Sequence, residues 1–519
     1  MANIIMHPSD AGVIHAAPDT VACTKTLGRW VLVATILGSS MAMIDGTAVN
    51  VALPALQRDL NATVADVQWI VEAYALFLAA LILVGGSLGD LFGRKRIFAI
   101  GIGIFTVASI FCGFSQSISQ LIIARAIQGV GGALLVPGSL AIISTTFSKE
   151  QRGKAIGTWS GFSVITGALG PVLGGWLVEH VSWRAVFYLN IPLAVIVLVV
   201  LFLHVPESVD TEAGRKLDWR GALLVVIGLG AIVYALITST TLSLLHPLVL
   251  SMLAFGVLML GAFLWNEARN PTPMIRLSLF RSRIFSGANL FTFLLYSAMG
   301  SVLFFLPFNL IQVQGYSATA AGAAMLPMIL IIFLLARWSG GLVGRYGARL
   351  PMIVGPLIAS IGLVLLARPM IGGTYWTTFF PALLVLAVGI STTVTPLTTT
   401  VMGAVESQHA GLASGINNAV SRLAALISVA VFSIVVLSVF AGQLDSRLSA
   451  SGVAPTVQQQ LDVQQTRLVG MQIPTAITGP SRVTLEQTIK ESFVVAFRVV
   501  MLTASVLALV SALIASLTI

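Results

Sequence analysis

Two acidic residues and one arginine interrupt long apolar segments of this sequence. Asp45 and Glu72 are the acids, and Arg125 is the base. An uncompensated charge near the centre of a bilayer costs at least about 2.5–3.5 kcal/mol on insertion scales, so such residues need a compensating role. Burial disfavours the charged form of a carboxyl group and a nearby arginine favours it, so a carboxyl group under both influences can take up and release a proton. We predict that these three residues carry proton coupling.

The depth of the three residues favours a shared polar cluster. At about 1.5 Å of rise per residue, Asp45, Glu72 and Arg125 lie about 14, 9 and 10 Å from the outer ends of their segments. If predicted helices 1, 2 and 4 are neighbours, an acid and Arg125 share hydrogen bonds around a cavity. Arg125 then holds the cluster together rather than binding a substrate. The alternative for Asp45 is a structural carboxyl group, neutral or paired, that is hydrogen-bonded to Thr47 or Asn50.

The composition excludes an ordinary water-soluble protein. The chain has 519 residues, of which 57% are hydrophobic and only 9% are charged, whereas about a quarter of the residues of a soluble domain are charged. The formal net charge of +9 is not gathered in a long basic block, so we expect no nucleic-acid partner. Cys23 and Cys112 have no ligand spacing around them. Since there is no histidine cluster and no phosphate-binding loop, we expect no catalytic residues, no metal, no cofactor and no enzymatic activity.

Fourteen apolar segments are long enough to cross a bilayer as helices. The sequence therefore predicts an all-α integral membrane protein with fourteen transmembrane helices. Lysine and arginine concentrate in the loops on the side of the N-terminus, which puts both termini in the cytoplasm by the positive-inside rule. The predicted helices span residues 29–54, 66–89, 97–115, 118–145, 154–178, 184–204, 219–240, 247–266, 285–312, 319–343, 351–369, 375–403, 411–440 and 491–517.

A repeated glycine pattern predicts two six-helix halves. Gly86 and Gly93, after predicted helix 2, have the same spacing as Gly340 and Gly347, after predicted helix 10. This arrangement is expected of transporters that are built from parallel repeats, and it leaves predicted helices 7 and 8 as an inserted pair. The outer loop before the last helix is either a solvated surface loop or a docking surface for a periplasmic adaptor. The predicted divisions are a cytoplasmic tail over 1–28, a first half over 29–204, an inserted pair with its flanks over 205–284, and a second half over 285–519 that includes the outer loop 441–490.

Predicted helix 5 is rich in small residues. Gly167, Gly170 and Gly174 lie around Pro171. Small residues at spacings of three and four allow helix backbones to approach closely, and proline removes a helical hydrogen bond. Such a helix can bend and pack at the interface between the two halves, which suits a gate. Ordinary close packing without gating is the alternative.

Polar, aromatic and methionine side chains of predicted helices 1, 2, 4 and 9 are candidates for the wall of a substrate cavity. An acidic group in an apolar cavity attracts amphipathic cations, and aromatic rings and methionine can contact them, although such stripes are more often simple packing. Arg337 and Arg422 either line the inner part of the cavity or extend toward the interface. The candidate cavity residues are Asn50, Tyr74, Gln128, Phe291, Tyr296 and Met299.

Several motifs resemble those of the major facilitator superfamily, and specifically its fourteen-span drug:proton antiporter branch. The segment from Gly86 to Arg96 is similar to the cytoplasmic loop motif of the family, although Leu91 stands where the family often has arginine. In the family, the acid and the basic residues of this motif hold the outward-facing state. The resemblance therefore implies a cytoplasmic gate made of Gly86, Asp90, Gly93, Arg94 and Lys95.

Further motifs match the same branch along nearly the whole chain. The stretch Arg125-Ala-Ile-Gln-Gly is similar to the helix 4 motif that the family associates with proton transfer, and the glycines around Pro171 resemble the helix 5 motif that marks exporters. Three patterns are specific to the branch, and they begin at Asp45, at Trp183 and at Asp218: Asp-Gly-Thr-Ala-Val-Asn-Val-Ala-Leu-Pro, Trp-Arg-Ala-Val-Phe-Tyr-Leu-Asn-Ile-Pro and Asp-Trp-Arg-Gly.

The resemblance implies a secondary active exporter in the plasma membrane, here a bacterial inner membrane, that works by alternating access. Such a protein exports amphipathic or cationic drugs and related organic compounds in exchange for protons, which gives multidrug resistance. The expected partners are a small organic substrate, protons, the lipid bilayer and, at the outer loop, an adaptor. Two alternatives remain open: a dedicated exporter of one metabolite, antibiotic or lipid, and a transport-inactive membrane receptor or scaffold.

Overall fold

The computed structural model describes residues 25–208, 218–271, 273–406, 410–450, 453, 455–474 and 477–519. Within these ranges the chain forms helices and turns and contains no β-strand. In this described part, 14 helices are long and apolar enough to cross a membrane. The prediction of an all-α membrane protein with fourteen spans is therefore confirmed. Most of the predicted N-terminal tail lies outside the described residues, and the first helix already begins at Lys25.

We label the spans α1 to α14 in chain order. Two of them are not regular along their whole length. Span α6 changes at Leu189 from a short first part to a longer second part, because Pro192 has no N–H to donate to the carbonyl group four residues earlier. Span α9 ends in a π-helical turn over Asn309–Val313. The bounds are α1 Lys25–Asp59, α2 Val64–Phe92, α3 Arg94–Phe114, α4 Ile118–Thr146, α5 Lys149–His180, α6 Trp183–Tyr188 and Asn190–His204, α7 Trp219–Leu242, α8 Pro247–Arg269, α9 Arg283–Phe308, α10 Ala318–Tyr346, α11 Arg349–Leu366, α12 Phe379–Gly403, α13 Ala410–Ala450 and α14 Pro480–Thr518.

The region that we predicted as an outer loop over 441–490 is helical at both ends. Helix α13 continues to Ala450 and helix α14 begins at Pro480. The predicted spans end where polar residues begin. Helix α13 has 41 residues and is therefore about 60 Å long at 1.5 Å per residue. This length is roughly twice the thickness of the hydrocarbon core, so the helix is longer than a span needs to be. Between the two helices lie a short helix over Pro455–Asp462 and a 3₁₀ turn over Gln465–Gly470.

The two sets of six spans repeat the same packing pattern. In the first set, α1 packs against α5 and α6, α4 packs against α2 and α3, and α3 also packs against α6. In the second set, α9 packs against α13 and α14, α12 packs against α10 and α11, and α11 also packs against α14. Spans α7 and α8 pack against each other, and α7 contacts α2 and α13. The inserted pair therefore touches one helix of each set.

A glycine allows α2 and α4 to approach closely enough to bring their polar side chains together. A Cβ atom on Gly85 of α2 would collide with the carbonyl oxygen of Ala133 of α4. Since helices separated by larger side chains stay 8–10 Å apart, small residues are needed for this tighter contact. Nearer the polar side chains, a Cβ atom on Gly129 of α4 would collide with the carbonyl oxygen of Tyr74 of α2, whose ring lies beside Arg125.

Candidate functional site

Asp45 and Arg125 form a buried ion pair between α1 and α4. Nη1 of Arg125 lies 2.5 Å from Oδ2 of Asp45, and the two side chains are 1% and 0% exposed. Nε of Arg125 donates to the carbonyl oxygen of Ile70 in α2 at 3.0 Å. Predicted helices 1, 2 and 4 are therefore neighbours at this point. The partners that the structural alternative names for Asp45 donate elsewhere: Thr47 Oγ1 donates to the carbonyl oxygen of Met43 and Asn50 Nδ2 to that of Gly46.

Neutral polar side chains complete a hydrogen-bonded network around the ion pair. Gln128 Nε2 donates to Asp45 Oδ1 at 2.9 Å and Asn190 Nδ2 donates to the same oxygen at 3.3 Å. Arg125 Nη1 donates to Gln128 Oε1 at 2.6 Å. Ser109 Oγ of α3 accepts hydrogen bonds from Gln128 at 2.7 Å and from Asn190 at 3.1 Å. We call these five side chains the polar cluster: Asp45, Ser109, Arg125, Gln128 and Asn190.

Two aromatic rings cover the guanidinium group of the cluster. The Cζ atom of Arg125 lies 4.3 Å from the centre of the Tyr74 ring and 5.9 Å from that of Phe187. An aromatic face attracts a cation, and the attraction is stronger when the pair is withdrawn from water. The rings therefore stabilise the positive charge of Arg125 at this buried position.

The acid Glu72 lies outside the polar cluster. Its side chain is buried, and within the described ranges neither carboxyl oxygen has a hydrogen-bond partner. One turn before it, Gln68 Nε2 donates to the carbonyl oxygen of Val429 in α13 at 3.0 Å. One turn after it, Leu76 packs in an apolar cluster with residues of α7 and α13, among them Val233. Glu72 therefore lies on the face of α2 that meets α13 and α7, away from Asp45.

The predicted cavity residues fall into three groups. Tyr74 and Gln128 belong to the surroundings of Arg125, whereas Asn50 Nδ2 donates to the carbonyl oxygen of Gly46 on its own helix at 3.3 Å. The three residues of α9 lie elsewhere in the chain's main hydrophobic core: one is fully buried and two are partly buried. Within the described residues, no hydrogen bond or ring contact joins these three to the polar cluster: Phe291, Tyr296 and Met299.

One arginine of the second half has a neutral partner. Arg422 of α13 donates from Nε to Asn418 Oδ1 at 3.1 Å. In the part of the chain that the structure describes, no carboxylate lies within ion-pair distance of Arg422. From the sequence, Arg422 either lines the inner part of the cavity or extends toward the membrane interface, and this hydrogen bond is compatible with both positions. The side chain of Arg337 lies outside the described residues.

The residues of the predicted cytoplasmic gate lie where α2 ends and α3 begins. Asp90, in the last turn of α2, and Arg94, the first residue of α3, form an ion pair at 2.7 Å. Gly93, with φ of 105°, lies in the region that favours glycine. The backbone N–H of Lys95 donates to Glu207 Oε1 at 3.0 Å. The predicted gate residues are therefore hydrogen-bonded to the segment that follows α6. Gly86, the remaining member of the predicted gate, packs beside Pro137 of α4.

Helix α5 meets both halves through its small residues. A Cβ atom on Gly170 would collide with Thr47 of α1, and one on Gly174 would crowd Ala48 of α1. On another face, the carbonyl oxygen of Pro171 lies where a side chain on Gly322 of α10 would be. Gly167 has open space around it. The predicted contact of helix 5 with the other half is thus present at Pro171.

Sequence reasoning missed three contributors to these contacts. Ser109 is a lone serine in an apolar helix, and Asn190 lies inside the branch-specific pattern that begins at Trp183 but received no role. Glu207 follows the end of α6 and accepts a hydrogen bond from Lys95, a residue of the predicted gate. A search for polar side chains within apolar spans finds the first two residues, because such side chains need a buried partner.

Comparison with known proteins connects this arrangement to established relatives. The chain is 33% identical over 437 residues to the multidrug resistance protein Stp of Mycobacterium tuberculosis, covering 83% of this chain and 80% of that protein. It is 30% identical over 516 residues to the tetracenomycin C resistance and export protein of Streptomyces glaucescens, covering 96% and 94%. It is 34% identical over 450 residues to the puromycin resistance protein pur8 of Streptomyces alboniger, covering 85% and 88%.

Solved structures share the fold at low sequence identity. A bacterial homologue of the human lysosomal transporter Spinster, in an inward-facing and unoccupied conformation, matches with a TM-score of 0.68 and 17% identity over 95% of this chain and 97% of that one. The family model described as Major Facilitator Superfamily matches residues 35–429. This match covers most of the chain and includes the polar cluster, the gate and α5. The chain therefore belongs to the major facilitator superfamily and is a multi-pass membrane protein.

Proposed function

We propose that this chain is a secondary active exporter of amphipathic organic compounds of the drug class, driven by protons, with no enzymatic activity. The observation that carries the proposal is the buried pair of Asp45 and Arg125 within a network of neutral hydrogen-bond partners. The names of the relatives, which refer to multidrug resistance and to resistance and export, support the substrate class.

Proton coupling follows from what a proton does to the ion pair. A proton on Asp45 removes the negative charge that balances Arg125, so the hydrogen-bonded network must rearrange. We propose that protonation of Asp45 from the outside favours substrate release, and that deprotonation toward the inside restores the pair and frees the site for a new substrate. Each proton that crosses 100 mV contributes about 2.3 kcal/mol, which supports roughly fifty-fold accumulation under tight coupling.

Glu72 is proposed as a second proton carrier that is separate from the first. Its carboxyl group is buried, and neither oxygen has a hydrogen-bond partner among the described residues. Because it faces α13 and α7, a change in its charge would act on the contact between the first half and the second half. Movement of the two halves would in this way affect its access to water.

The substrate path is proposed to run between the two halves. Asn50 and Tyr74 would contribute from the first half, and the partly exposed Tyr296 and Met299 from the second. In the pair with Arg125, the charge of Asp45 is already balanced. A cationic drug therefore competes with Arg125 for Asp45, whereas a neutral amphipathic drug depends on apolar contacts alone.

The gating elements are proposed to control access to this path from each side. The ion pair of Asp90 with Arg94 is proposed as the cytoplasmic gate. Helix α5, around Pro171, is proposed to move against α10. Both chain termini are proposed to be cytoplasmic, which puts the connection between α13 and α14 on the outer side of a bacterial inner membrane. A periplasmic adaptor at this connection stays a prediction.

A dedicated exporter of one antibiotic is the second candidate function. The names of three relatives refer to a single compound: tetracenomycin C, puromycin and methylenomycin A. A dedicated exporter would respond to one chemical scaffold, whereas a multidrug exporter would respond to several unrelated ones. The breadth of the response in a transport assay separates the two.

The test is proton flux in proteoliposomes that contain the purified protein. A pH gradient is imposed, and lipophilic cations and neutral antibiotics are added one at a time. We expect some compounds to dissipate the gradient through the wild type but not through Asp45→Asn. The matched control is Asp462→Asn, the same substitution at an exposed site on the connection between α13 and α14, which we expect to behave as the wild type.

Folding and coupling are separated by two further readings. Size-exclusion profiles and unfolding midpoints show whether Asp45→Asn is folded, and downhill substrate uptake shows whether its binding path survives. Uptake that persists without any substrate-dependent proton flux in the wild type would refute proton coupling. Equal flux in the wild type and a folded Asp45→Asn would refute the role of Asp45.

A further inference from the structure

The connection between α13 and α14 folds back onto the ends of the spans. We call the face that carries it the loop face, which is the outer face in the proposed topology. Leu461 of the short helix is 0% exposed, Leu468 of the 3₁₀ turn is 2% exposed, and Met471 is 8% exposed. Since these apolar side chains are buried, the connection is packed against the spans.

Amide side chains join the connection to both halves. Gln57, at the end of α1, donates from Nε2 to the carbonyl oxygen of Arg467 in the connection at 3.1 Å. Gln312, at the end of α9, donates from Nε2 to Gln57 Oε1 at 2.9 Å. Gln472 Nε2 donates to Asn61 Oδ1 at 3.3 Å. The first half, the second half and the connection therefore meet at Gln57.

A cavity of about 570 Å³ lies at this junction. Its buried lining includes Gln57, Met471 and Ile489. Val469 and Ile473 of the connection, both partly buried, add apolar wall. Ligand pockets for drug-sized molecules have volumes of about 300–1,000 Å³, so the size fits an organic molecule rather than a single ion, and Met471, Ile473 and Ile489 give its body an apolar wall.

The charged residues of the cavity are mainly basic. Arg58, Arg467, Arg482 and Lys490 line it, with Glu486 as its acid. Glu486 forms an ion pair with Arg482 at 3.2 Å. Arg58 donates from Nε to a backbone carbonyl group at 3.2 Å. Among the described residues, no carboxylate pairs with Arg58, Arg467 or Lys490. Three positive charges therefore line one cavity with a partly apolar wall, and no acid among the described residues balances them.

We propose that this cavity binds an amphipathic organic anion, with a carboxylate, sulfonate or phosphate head on an apolar body. The head matches the unbalanced cations, because charge-assisted hydrogen bonds to Arg and Lys are stronger than neutral ones. The body matches Met471, Ile473 and Ile489. This site is separate from the polar cluster, and no feature of the export proposal requires it.

A bound anion would also hold the two halves together on the loop face. The lining comes from α1 in the first half and from α9 and α14 in the second half. A ligand that contacts both halves favours the conformation in which they are close, by its difference in affinity for the two conformations. The anion is therefore an inhibitor of any cycle that must open this face.

The test is equilibrium dialysis of naphthalene-2-sulfonate against the purified full-length protein in a neutral detergent, with empty micelles as the blank. We expect one bound equivalent, and affinity about tenfold or more lower in Arg58→Gln/Lys490→Gln, because two charged hydrogen-bond donors are lost. The matched control is Arg368→Gln, which removes an exposed arginine beyond the end of α11 that does not line the cavity. Binding should weaken at high salt, and 2-naphthalenemethanol should not bind.

A second variant keeps the test meaningful if the double substitution fails to fold. Val469→Trp fills the apolar part of the cavity and leaves all charges in place, so it should also abolish binding. Equal binding by the wild type, the double variant and Val469→Trp would overturn the proposal, and so would the absence of binding by the wild type. Because no pH gradient is used, these results do not depend on whether the protein exports drugs.

The natural anion could come from the lipid or from the aqueous phase, since both carry the same head chemistry. The dialysis is therefore repeated in nanodiscs of phosphatidylglycerol and of phosphatidylcholine. Weaker probe binding in phosphatidylglycerol alone assigns the site to a lipid headgroup, and equal binding in the two assigns it to a soluble anion. Both outcomes support the site, whereas loss of the difference between wild type and double variant in nanodiscs contradicts it.

Discussion

Replacing Asp45 by asparagine removes the negative half of an ion pair that is withdrawn from solvent. Arg125 and Asp45 are 1% and 0% exposed and lie 2.5 Å apart. When one partner of a buried pair is removed, the other charge remains uncompensated, which costs about 3–5 kcal/mol. We expect Asp45→Asn to lower the free energy of unfolding by about this amount. Arg125→Gln should cost less, because a carboxyl group can accept a proton whereas a guanidinium group does not release one.

The double variant distinguishes a true pair from two independent sites. Asp45→Asn/Arg125→Gln carries no charge at this position, so its unfolding free energy should be closer to that of the wild type than the value for Asp45→Asn. Residues in direct contact show interaction energies of about 0.5–3 kcal/mol, and we expect the upper part of this range. Neutral amides still satisfy part of the hydrogen bonding of Gln128 and Asn190.

The assay is unfolding by titration of a denaturing detergent into mixed micelles, followed by tryptophan fluorescence. The exposed pair of Arg482 and Glu486, with side chains 44% and 46% exposed, serves as the reference, because exposed pairs contribute about 0–1 kcal/mol. If the cost of the double variant equals the sum of the two single costs, Asp45 and Arg125 do not stabilise each other. The reasoning from burial would then be refuted.

Three more predictions follow from single positions. Gly85→Ala should destabilise the protein by about 1–3 kcal/mol, because the new Cβ atom meets the backbone of α4, whereas Gly103→Ala, in open space, should be neutral in the same titration. Glu72→Leu should raise the free energy of unfolding by about 1–3 kcal/mol, because it removes an unsatisfied buried carboxyl group, while substrate-dependent proton flux falls. Gln57→Leu should accelerate trypsin cleavage at Arg467 about tenfold, because a loss of about 1.4 kcal/mol in local stability raises the open population by that factor.

Each of these predictions has a result that contradicts it. Equal stability of Gly85→Ala and Gly103→Ala would show that α2 and α4 are not in tight contact. A large destabilisation by Glu72→Leu would show that the carboxyl group has a partner that stabilises the fold. Unchanged cleavage in Gln57→Leu, with the wild-type unfolding midpoint, would show that the bridge does not hold the connection in place.

The number and order of the spans could be predicted from the sequence because membrane insertion depends on local hydrophobicity. Each apolar segment reports its own preference for lipid, independent of its neighbours. The helix ends could not be predicted in the same way. Helix α13 continues to Ala450 through polar residues such as Gln443, Asp445 and Arg447, which are compatible with a helix outside the bilayer.

The contacts of the connection between α13 and α14 could not be predicted from the sequence either. Its glutamines indicated a solvated loop. Gln57 and Arg467 are 410 residues apart in the chain and still share a hydrogen bond. The local sequence around a polar residue in the connection is the same whether its side chain faces water or an amide from another helix. No local pattern therefore distinguishes these two environments.

The sequence by itself determined which residues needed an explanation: Asp45, Glu72 and Arg125, because a charge in an apolar segment is costly wherever the segment lies. Tertiary structure alone decided their partners. Asp45 meets Arg125 and Asn190 across 80 and 145 residues of chain, whereas Glu72, equally buried, has no hydrogen-bond partner for its carboxyl oxygens in the described part of the chain. The difference arises from helix packing, since α1 faces α4 and α6 while the Glu72 side of α2 faces α7 and α13, and the energy of a buried carboxyl group depends on the atoms within a few ångströms of it.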